Sequence, residues 1–150
     1  MLGLAVRNTG KLIREKSKSD NVRLGRLFTK KDTARLMASM LSLDSKKAVE
    51  ISALEVGSLT IVADYFVIAA GSSTTQVRAL ADEVEEKLKE QGIEPHHIEG
   101  RSTGWIALDY ESVIVHVFTP NEREFYNLDS MWSDAEEINL ETILDEVEGD

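Results

Sequence analysis

Cysteine is absent from the 150-residue sequence, and proline (two residues) and histidine (three residues) are scarce. Without cysteine the chain has no disulfide bond, no thiolate nucleophile and no cysteine-ligated metal. The longest apolar run, from Tyr65 to Ala70, is far shorter than the roughly 20 residues of a membrane-spanning helix. A hydrophobic content of 42% with 29% charged residues is ordinary for a soluble globular protein, and this length favours one domain.

Positive charge is scarce outside the N-terminal segment. Residues 1–31 contain nine Lys or Arg and two acidic residues, whereas residues 32–150 contain eight Lys or Arg and 25 acidic residues. The two parts carry formal charges of +7 and −17, within a net charge of −10. Because nucleic-acid affinity comes largely from Lys and Arg that displace counterions, we expect residues 32–150 to avoid nucleic acid and to attract basic proteins.

The change in charge near residue 31 predicts three segments. Residues 1–31 are expected to be a flexible basic arm, with a transit peptide or an RNA-touching arm as open alternatives because the segment is basic and contains serine. Residues 32–133 are expected to form the folded domain. Residues 134–150 form an acidic C-terminal extension, for which a short amphipathic helix and a frayed end are both open.

Hydrophobic periodicity predicts an α/β (α+β) fold with a mixed five-stranded sheet flanked by helices. The expected helices cover residues 32–45, residues 74–92 and a segment after Thr119; the expected strands cover residues 49–57, 63–71, 96–100, 104–109 and 112–118. Ser73 and Gln76 have capping-box spacing. Thr119 followed by Pro120 is a typical helix start, and Phe125, Leu128 and Trp132 are expected to form the apolar face of that last helix.

Two groups of residues could carry out catalysis, and neither has convincing spacing. The Gly71–Ser73 turn before a helix resembles an anion-binding turn of nucleotidyltransferases, but no pair of metal-binding carboxylates follows it. The nearest pair, Asp109 and Glu111, straddles a turn, so convergence on one metal is not expected. A triad of Ser72, His116 and Asp109 can be drawn, but no nucleophile-elbow sequence supports it.

The three histidines are better explained by structure than by catalysis. His96 and His97 are adjacent, so on a strand they point to opposite faces and cannot bind one metal ion. We expect both to be in solvent. His116 lies within an apolar strand and is expected to be a structural residue that hydrogen-bonds a carboxylate such as Asp64 or Asp109. The sequence predicts no metal and no cofactor.

Trp105 has the clearest interaction chemistry in the stretch GWIALDYESVIVHVF. It shares a strand face with Asp109, and Trp is among the residues that dominate binding at protein interfaces. Core packing is the default for a single Trp. The nearby acidic residues Glu99, Asp109 and Glu111 nevertheless favour a surface that meets a basic protein.

Four stretches of the sequence resemble the ribosomal silencing factor family, also called RsfS or Iojap-like. They read DYFVIAAGSS, QVRALADEVEEKLKEQG, HHIEGRSTGWIALDYESVIVHVF and REFYNLDSMW, and the resemblance covers about residues 32–133. It implies a nucleotidyltransferase-like fold without catalytic carboxylates, no enzymatic activity and no cofactor. The arm and the acidic extension lie outside the shared pattern.

The resemblance also implies a function. Members of the family bind the large (50S) ribosomal subunit through the fourteenth uL-type ribosomal protein at the intersubunit face. There they block the small subunit, which represses translation or aids large-subunit biogenesis. The implied location is the bacterial cytoplasm, or an organelle if residues 1–31 are a transit peptide. No sequence-specific nucleic acid and no membrane is expected as a partner, and homodimer formation stays open.

The expected contact residues follow from their clustering within the shared stretches. They are Trp105, Leu108, Asp109, Tyr110, Asp64 and Glu99. The aromatic residues and the leucine would anchor the partner, and the acidic residues would pair with its Lys and Arg side chains. Two other functions stay open: a metal-dependent nucleotidyltransferase that uses Asp109 and Glu111, and an acidic adaptor with other partners.

Overall fold

A computed structural model describes residues 30–139; residues 1–29 and 140–150, which include most of the basic arm and the end of the acidic extension, lie outside it. The helices are α1 (Lys30–Ser45), α2 (Thr74–Glu90), α3 (Pro120–Tyr126) and α4 (Leu128–Met131). The strands are β1 (Val49–Glu55), β2 (Tyr65–Ala70), β3 (His97–Glu99), β4 (Trp105–Tyr110), β5 (Val113–Phe118) and β6 (Glu136–Ile138). Within the described part of the chain, no helix is both long and apolar enough to cross a membrane.

The strands form one mixed sheet in the order β3-β4-β5-β2-β1-β6. Only the central pair, β2 and β5, runs parallel, and every side chain of these two strands is buried. Their burial on both faces explains why both strands are apolar almost throughout. The mixed α/β fold with flanking helices is thereby confirmed.

The sheet has six strands instead of the expected five. The additional strand, β6, lies within the acidic extension, where no strand was expected. It pairs antiparallel with β1, with Ile138 opposite Ala53. A strand of three residues is too short to show the alternation that predicts a strand, and its pairing partner lies more than 80 residues earlier in the chain. Residues 136–138 therefore form a strand that the sequence pattern did not predict, whereas the apolar positions of the candidate helix, from Leu140 onwards, lie outside the described residues.

The helices α1 and α2 cover one face of the sheet. Their buried residues pack against alternate residues of β2, β4 and β5, and the largest of those on the two helices are Leu36, Leu43, Leu80 and Leu88. Ser73 Oγ accepts the N–H of Gln76 at 3.1 Å, as the capping-box spacing predicts. Helix α1 begins two residues earlier than expected.

The helices α3 and α4 cover the other face. Thr119 Oγ1 accepts the N–H of Glu122 at 3.3 Å with Pro120 in the first turn, which confirms the predicted helix start. The helix then ends early, because Asn127 adopts a left-handed conformation with φ 50° and ψ 52°.

The turn at Asn127 changes which side chains reach the core. Leu128 and Trp132 are buried, as expected, but Phe125 is 79% exposed. A single uninterrupted helix would have placed Phe125 on the same face as the other two. The predicted burial of Phe125 is therefore wrong.

Candidate functional site

Trp105 lies at the start of β4 and has 0% of its surface exposed. Its ring stacks on Phe118, with centroids 4.8 Å apart, and contacts Tyr126 of α3 at 4.5 Å. The indole Nε1–H donates a 3.0 Å hydrogen bond to His116 Nδ1. Trp105 thus joins β4, β5 and α3 within the core.

The turn that leads into α3 explains why Trp105 is covered. The backbone N–H of Thr119 donates to the carbonyl of Gly104 at 2.8 Å, which places the start of α3 beside the start of β4. A Cβ atom at Gly104 would lie only 2.7 Å from Glu122 Cγ, so glycine permits this close approach. Tyr126, the last residue of α3, then packs on the Trp105 ring.

Leu108 and Tyr110 lie on the opposite face of β4, in the core shared with α1 and α2. Burial is the main cause that raises the pKa of the Tyr110 phenol well above its usual value. The structure therefore contradicts the expectation that Trp105, Leu108 and Tyr110 face a partner. Both faces of β4 are covered at these positions, whereas the sequence pattern suggested that one face was partly open.

Acidic and histidine side chains cluster at the outer edge of the sheet, where β3 pairs with β4. We call this cluster the acidic edge; it comprises His96, His97, Glu99, Asp109 and Glu111. His97 Nε2 is 3.7 Å from Asp109 Oδ2 and 4.0 Å from Glu99 Oε1. His96 Nε2 contacts a carboxylate oxygen of Glu111, and both of these side chains are more than half exposed. Three carboxylates thus lie at this edge of the sheet, of which Glu111 is exposed and Asp109 and Glu99 are largely covered.

The turn between β4 and β5 holds two of these carboxylates in place. Asp109 Oδ1 accepts the backbone N–H of Glu111 at 2.8 Å, and Glu111 has a left-handed φ of 68°. The backbone N–H of His96 donates to the carbonyl of Asp109 at 2.7 Å, which ties the segment before β3 to β4. The positions of Asp109 and Glu111 are therefore set by backbone contacts as well as by their own side chains.

Asp64 lies apart from the acidic edge, just before β2. Its backbone N–H donates to the carbonyl of Ser112 at 2.9 Å, so it reaches the same end of the sheet as Asp109. Asp64 precedes β2 and Asp109 belongs to β4, and strand β5 lies between these two strands. Asp64 lies near Glu55, whose pKa is raised mainly by burial and also by the charge of Asp64. The structure thus gathers Glu99 and Asp109 but places Asp64 two strands away.

The triad of Ser72, His116 and Asp109 is not assembled. Ser72 follows the C-terminal end of β2, whereas Asp109 is opposite Ile114, near the start of the parallel strand β5. His116 Nδ1 accepts a hydrogen bond from Trp105, and Nε2 has no carboxylate acceptor among the described residues, contrary to expectation. Burial lowers the pKa of His116 to about 3, so the ring is neutral near pH 7. His116 is a structural residue, as the sequence predicts.

The acidic edge gives no support to a metal-dependent reaction. Among residues 30–139, no three or more His, Asp or Glu side chains are grouped so that they could hold a metal ion. Asp109 and Glu111 lie on the same turn, but Asp109 caps the backbone and Glu111 contacts His96. The nucleotidyltransferase alternative therefore has no convergent carboxylate pair here.

A second surface feature is a groove that the sequence patterns did not indicate. It has a volume of about 400 Å³ and lies between β1, β6 and the α3–α4 segment. We call it the Arg123 groove; its lining includes Glu50, Ser52, Arg123, Trp132 and Glu137. They come from two distant segments of the chain, residues 50–52 and residues 123–137, so no local motif could reveal the groove. The only hint is that Arg123 and Trp132 both lie in the stretch REFYNLDSMW.

Comparison with known proteins gives consistent results. Residues 29–150 match the family model described as ribosomal silencing factor during starvation. The chain is 38% identical over 110 residues to the ribosomal silencing factor RsfS of Halalkalibacterium halodurans, covering 73% of this chain and 94% of that protein. It is 30% identical over 94 residues to the chloroplastic protein Iojap of Zea mays, covering 63% of this chain and 41% of that protein.

The fold agrees with these sequence relationships. A crystal structure of a protein from Chromobacterium violaceum superimposes with a TM-score of 0.65 at 32% sequence identity, over 67% of this chain and 84% of that chain. The family model covers the whole described sheet, including β6. The chain therefore belongs to the RsfS family of ribosomal silencing factors.

Proposed function

We propose that this protein binds the large ribosomal subunit and prevents the small subunit from joining it. The contact is a basic ribosomal protein at the intersubunit face, the fourteenth uL-type protein. A rigid domain bound there occupies the volume that the small subunit needs, so translation is repressed without any bond being made or broken. Membership of the ribosomal silencing factor family is the observation that supports this function. The same contact would protect the face during large-subunit biogenesis.

The acidic edge is the surface that we assign to this contact. Asp109 and Glu111 are held on one turn, and Glu99 lies on the adjacent strand. The Glu111 side chain is 59% exposed, that of Asp109 is 29% exposed, and that of Glu99 is 11% exposed, so Glu111 and Asp109 are the more accessible carboxylates. Lys and Arg side chains of a basic protein would pair with these carboxylates, which steers association and fixes orientation. The formal charge of −17 over residues 32–150 disfavours direct contact with rRNA phosphates.

Trp105, Leu108 and Tyr110 have an indirect role in this proposal. They are buried on both faces of β4, whose far end carries Asp109. Their packing keeps the strand and its turn in place. The residues that contact the partner are then Asp109, Glu99 and Glu111. Asp64, at the same end of the sheet, is a further contact.

The proposed location follows the ribosome. For a bacterial member this is the cytoplasm, and the relative from Zea mays is named as chloroplastic. An organellar member would meet the equivalent subunit of the organellar ribosome.

Charge reversal at the acidic edge tests the contact. We expect Asp109→Lys and Glu111→Lys each to weaken co-sedimentation with 50S subunits about tenfold, because each places a cation opposite the Lys and Arg side chains of the partner. Both variants should also lose inhibition of 30S–50S joining, measured by light scattering. The loss should shrink as salt rises, since exposed charges are screened.

Glu86→Lys is the matched control because Glu86 is an exposed acid of the same charge on α2, away from the acidic edge. It should bind 50S subunits like the unmodified protein. Circular dichroism checks that all three variants fold. Normal 50S binding by both acidic-edge variants would refute the assigned surface, and binding to 30S subunits instead of 50S would refute the function.

A further inference from the structure

Arg35 of α1 is a buried cation at the end of the sheet that carries Glu111. It is 8% exposed, and its Nη1 donates a 2.9 Å hydrogen bond to the hydroxyl of Ser112, the residue after Glu111. Its Nε is buried and has no acceptor among residues 30–139. Burial of a guanidinium group is costly unless it is well paired, and a bond to a neutral hydroxyl offsets little of that cost. An arginine at this position therefore indicates a role beyond stability.

Ser112 connects Arg35 to two other parts of the chain. Its hydroxyl accepts the bond from Arg35, and its carbonyl accepts the backbone N–H groups of Asp64 and Tyr65, both at 2.9 Å. Ser112 thus joins α1, the turn between β4 and β5, and the start of β2. Glu111 precedes Ser112 in the chain and Asp64 is bonded to it, so the positions of both carboxyl-bearing residues depend on this one residue.

The backbone of Glu111 needs support from its surroundings. Its φ of 68° is left-handed, a conformation that a residue other than glycine keeps only where neighbouring contacts enforce it. On the β3 side, Asp109 Oδ1 accepts the N–H of Glu111, and the N–H of His96 donates to the Asp109 carbonyl. On the α1 side, the bond from Arg35 to Ser112 holds the next residue of the turn. The turn is therefore anchored from both sides.

We propose that Arg35 is a positioning residue for the contact with the basic ribosomal protein. It does not touch the partner. Through Ser112 it fixes the turn that carries Glu111 and the backbone at Asp64, so that both carboxylates are held in place before binding. Groups that are already ordered lose less conformational entropy when a complex forms, which strengthens binding. This inference rests on the proposed function, because it concerns the surface assigned there.

The test opposes what charge alone would do. Arg35→Gln removes a cation from an acidic surface, so charge alone would strengthen binding to a basic partner. The positioning role instead predicts co-sedimentation with 50S subunits about threefold to tenfold weaker. Ser112→Ala removes the acceptor without a change of charge and should weaken binding by a similar factor. The matched control is Arg78→Gln, at an exposed arginine on α2, which should bind at least as tightly as the unmodified protein.

A thermodynamic cycle shows whether Arg35 acts through the two carboxylates. In a protein that already carries Glu111→Gln and Asp64→Asn, Arg35→Gln should cause little further loss of 50S affinity. The measurements are made at low salt, where the weaker complexes remain detectable. Circular dichroism checks that each variant is folded at the temperature of the assay. A loss of the same size in both backgrounds would overturn the proposal, because Arg35 would then act elsewhere.

Backbone order parameters from ¹⁵N relaxation test the positioning without ribosomes. The amides of Glu111 and Ser112 should have values of about 0.85 in the unmodified protein and fall towards about 0.6 in both Arg35→Gln and Ser112→Ala. The amides of α2 should not change. Unchanged values at the turn in both variants would overturn the proposal.

The two measurements keep this proposal separate from the proposed function. If Glu111→Lys weakens 50S binding while Arg35→Gln and Ser112→Ala bind normally, the positioning role is wrong and the function stands. If the unmodified protein does not bind 50S subunits, the function is wrong, and the order parameters of the turn alone decide whether Arg35 positions it.

Discussion

Replacement of Trp105 by alanine is expected to lower the free energy of unfolding by about 3–5 kcal/mol, a large fraction of the stability of a typical domain. The indole ring packs between β5 and α3 with 0% exposure, so its removal opens a cavity against Phe118 and Tyr126. The variant also leaves His116 Nδ1 without its donor in the core. Urea unfolding followed by circular dichroism would measure the change.

Two further variants separate the packing of Trp105 from its hydrogen bond. Trp105→Phe retains much of the ring volume but removes the donor to His116, so we expect a smaller loss of about 1–3 kcal/mol. Phe125→Ala deletes an aromatic ring of which 79% is exposed and should change stability by less than about 0.5 kcal/mol.

The stability of the Trp105 variants also tests the assignment of contact residues. A Trp105→Ala protein that unfolds at the normal urea concentration but no longer binds 50S subunits would show that the ring contacts the partner directly. That outcome would contradict the buried position. If binding is lost only where folding is lost, Trp105 acts by keeping β4 in place.

Local features of the sequence were sufficient to predict the element boundaries that depend on near neighbours. The Ser73 and Thr119 caps are both present, because each depends on a hydroxyl that reaches an N–H three residues ahead. The apolar run of β2 predicted burial on both faces, and that strand is central in the sheet. The proximity of Glu99 to Asp109 was also predictable, because the short β3 segment pairs with the strand that carries Asp109.

Features that depend on distant contacts could not be predicted in this way. The burial of Trp105 depends on α3 folding back after Thr119, and the alternation within β4 shows only which residues share a face. The exposure of Phe125 depends on one left-handed residue, Asn127, that interrupts a helical pattern. The strand β6 depends on an edge of β1 that becomes available only when the sheet forms.

The acidic edge and Trp105 are linked through β4 even though only one of them faces solvent. Trp105, Ala107 and Asp109 share one face of the strand, as predicted, but Tyr126 of α3 packs on Trp105, whereas the Asp109 side chain is 29% exposed. Strand β4 therefore has two roles. One end of the strand maintains the fold and the other carries the charges that we assign to the partner.

Acid should destabilise this protein through His116. Burial lowers the pKa of His116 in the folded state to about 3, from a value of 6.5 for an exposed histidine, because the charged ring would lose its hydration. The unfolded chain therefore binds a proton that the folded chain does not as pH falls below 6.5. The stability contributed by the neutral ring is fully present above pH 6.5 and is lost progressively down to pH 3. By pH 5 the loss should reach about 2 kcal/mol.

His116→Gln isolates this contribution because glutamine can accept the Trp105 N–H but does not titrate. The variant should be less stable at pH 7.5 through imperfect packing, yet the difference from the unmodified protein should narrow by about 2 kcal/mol between pH 7.5 and pH 5. His96 and His97 are present in both proteins, so their effects cancel in the comparison. If the free energy of unfolding changes equally between pH 7.5 and pH 5 in the His116→Gln variant and in the unmodified protein, the buried ring does not control acid sensitivity.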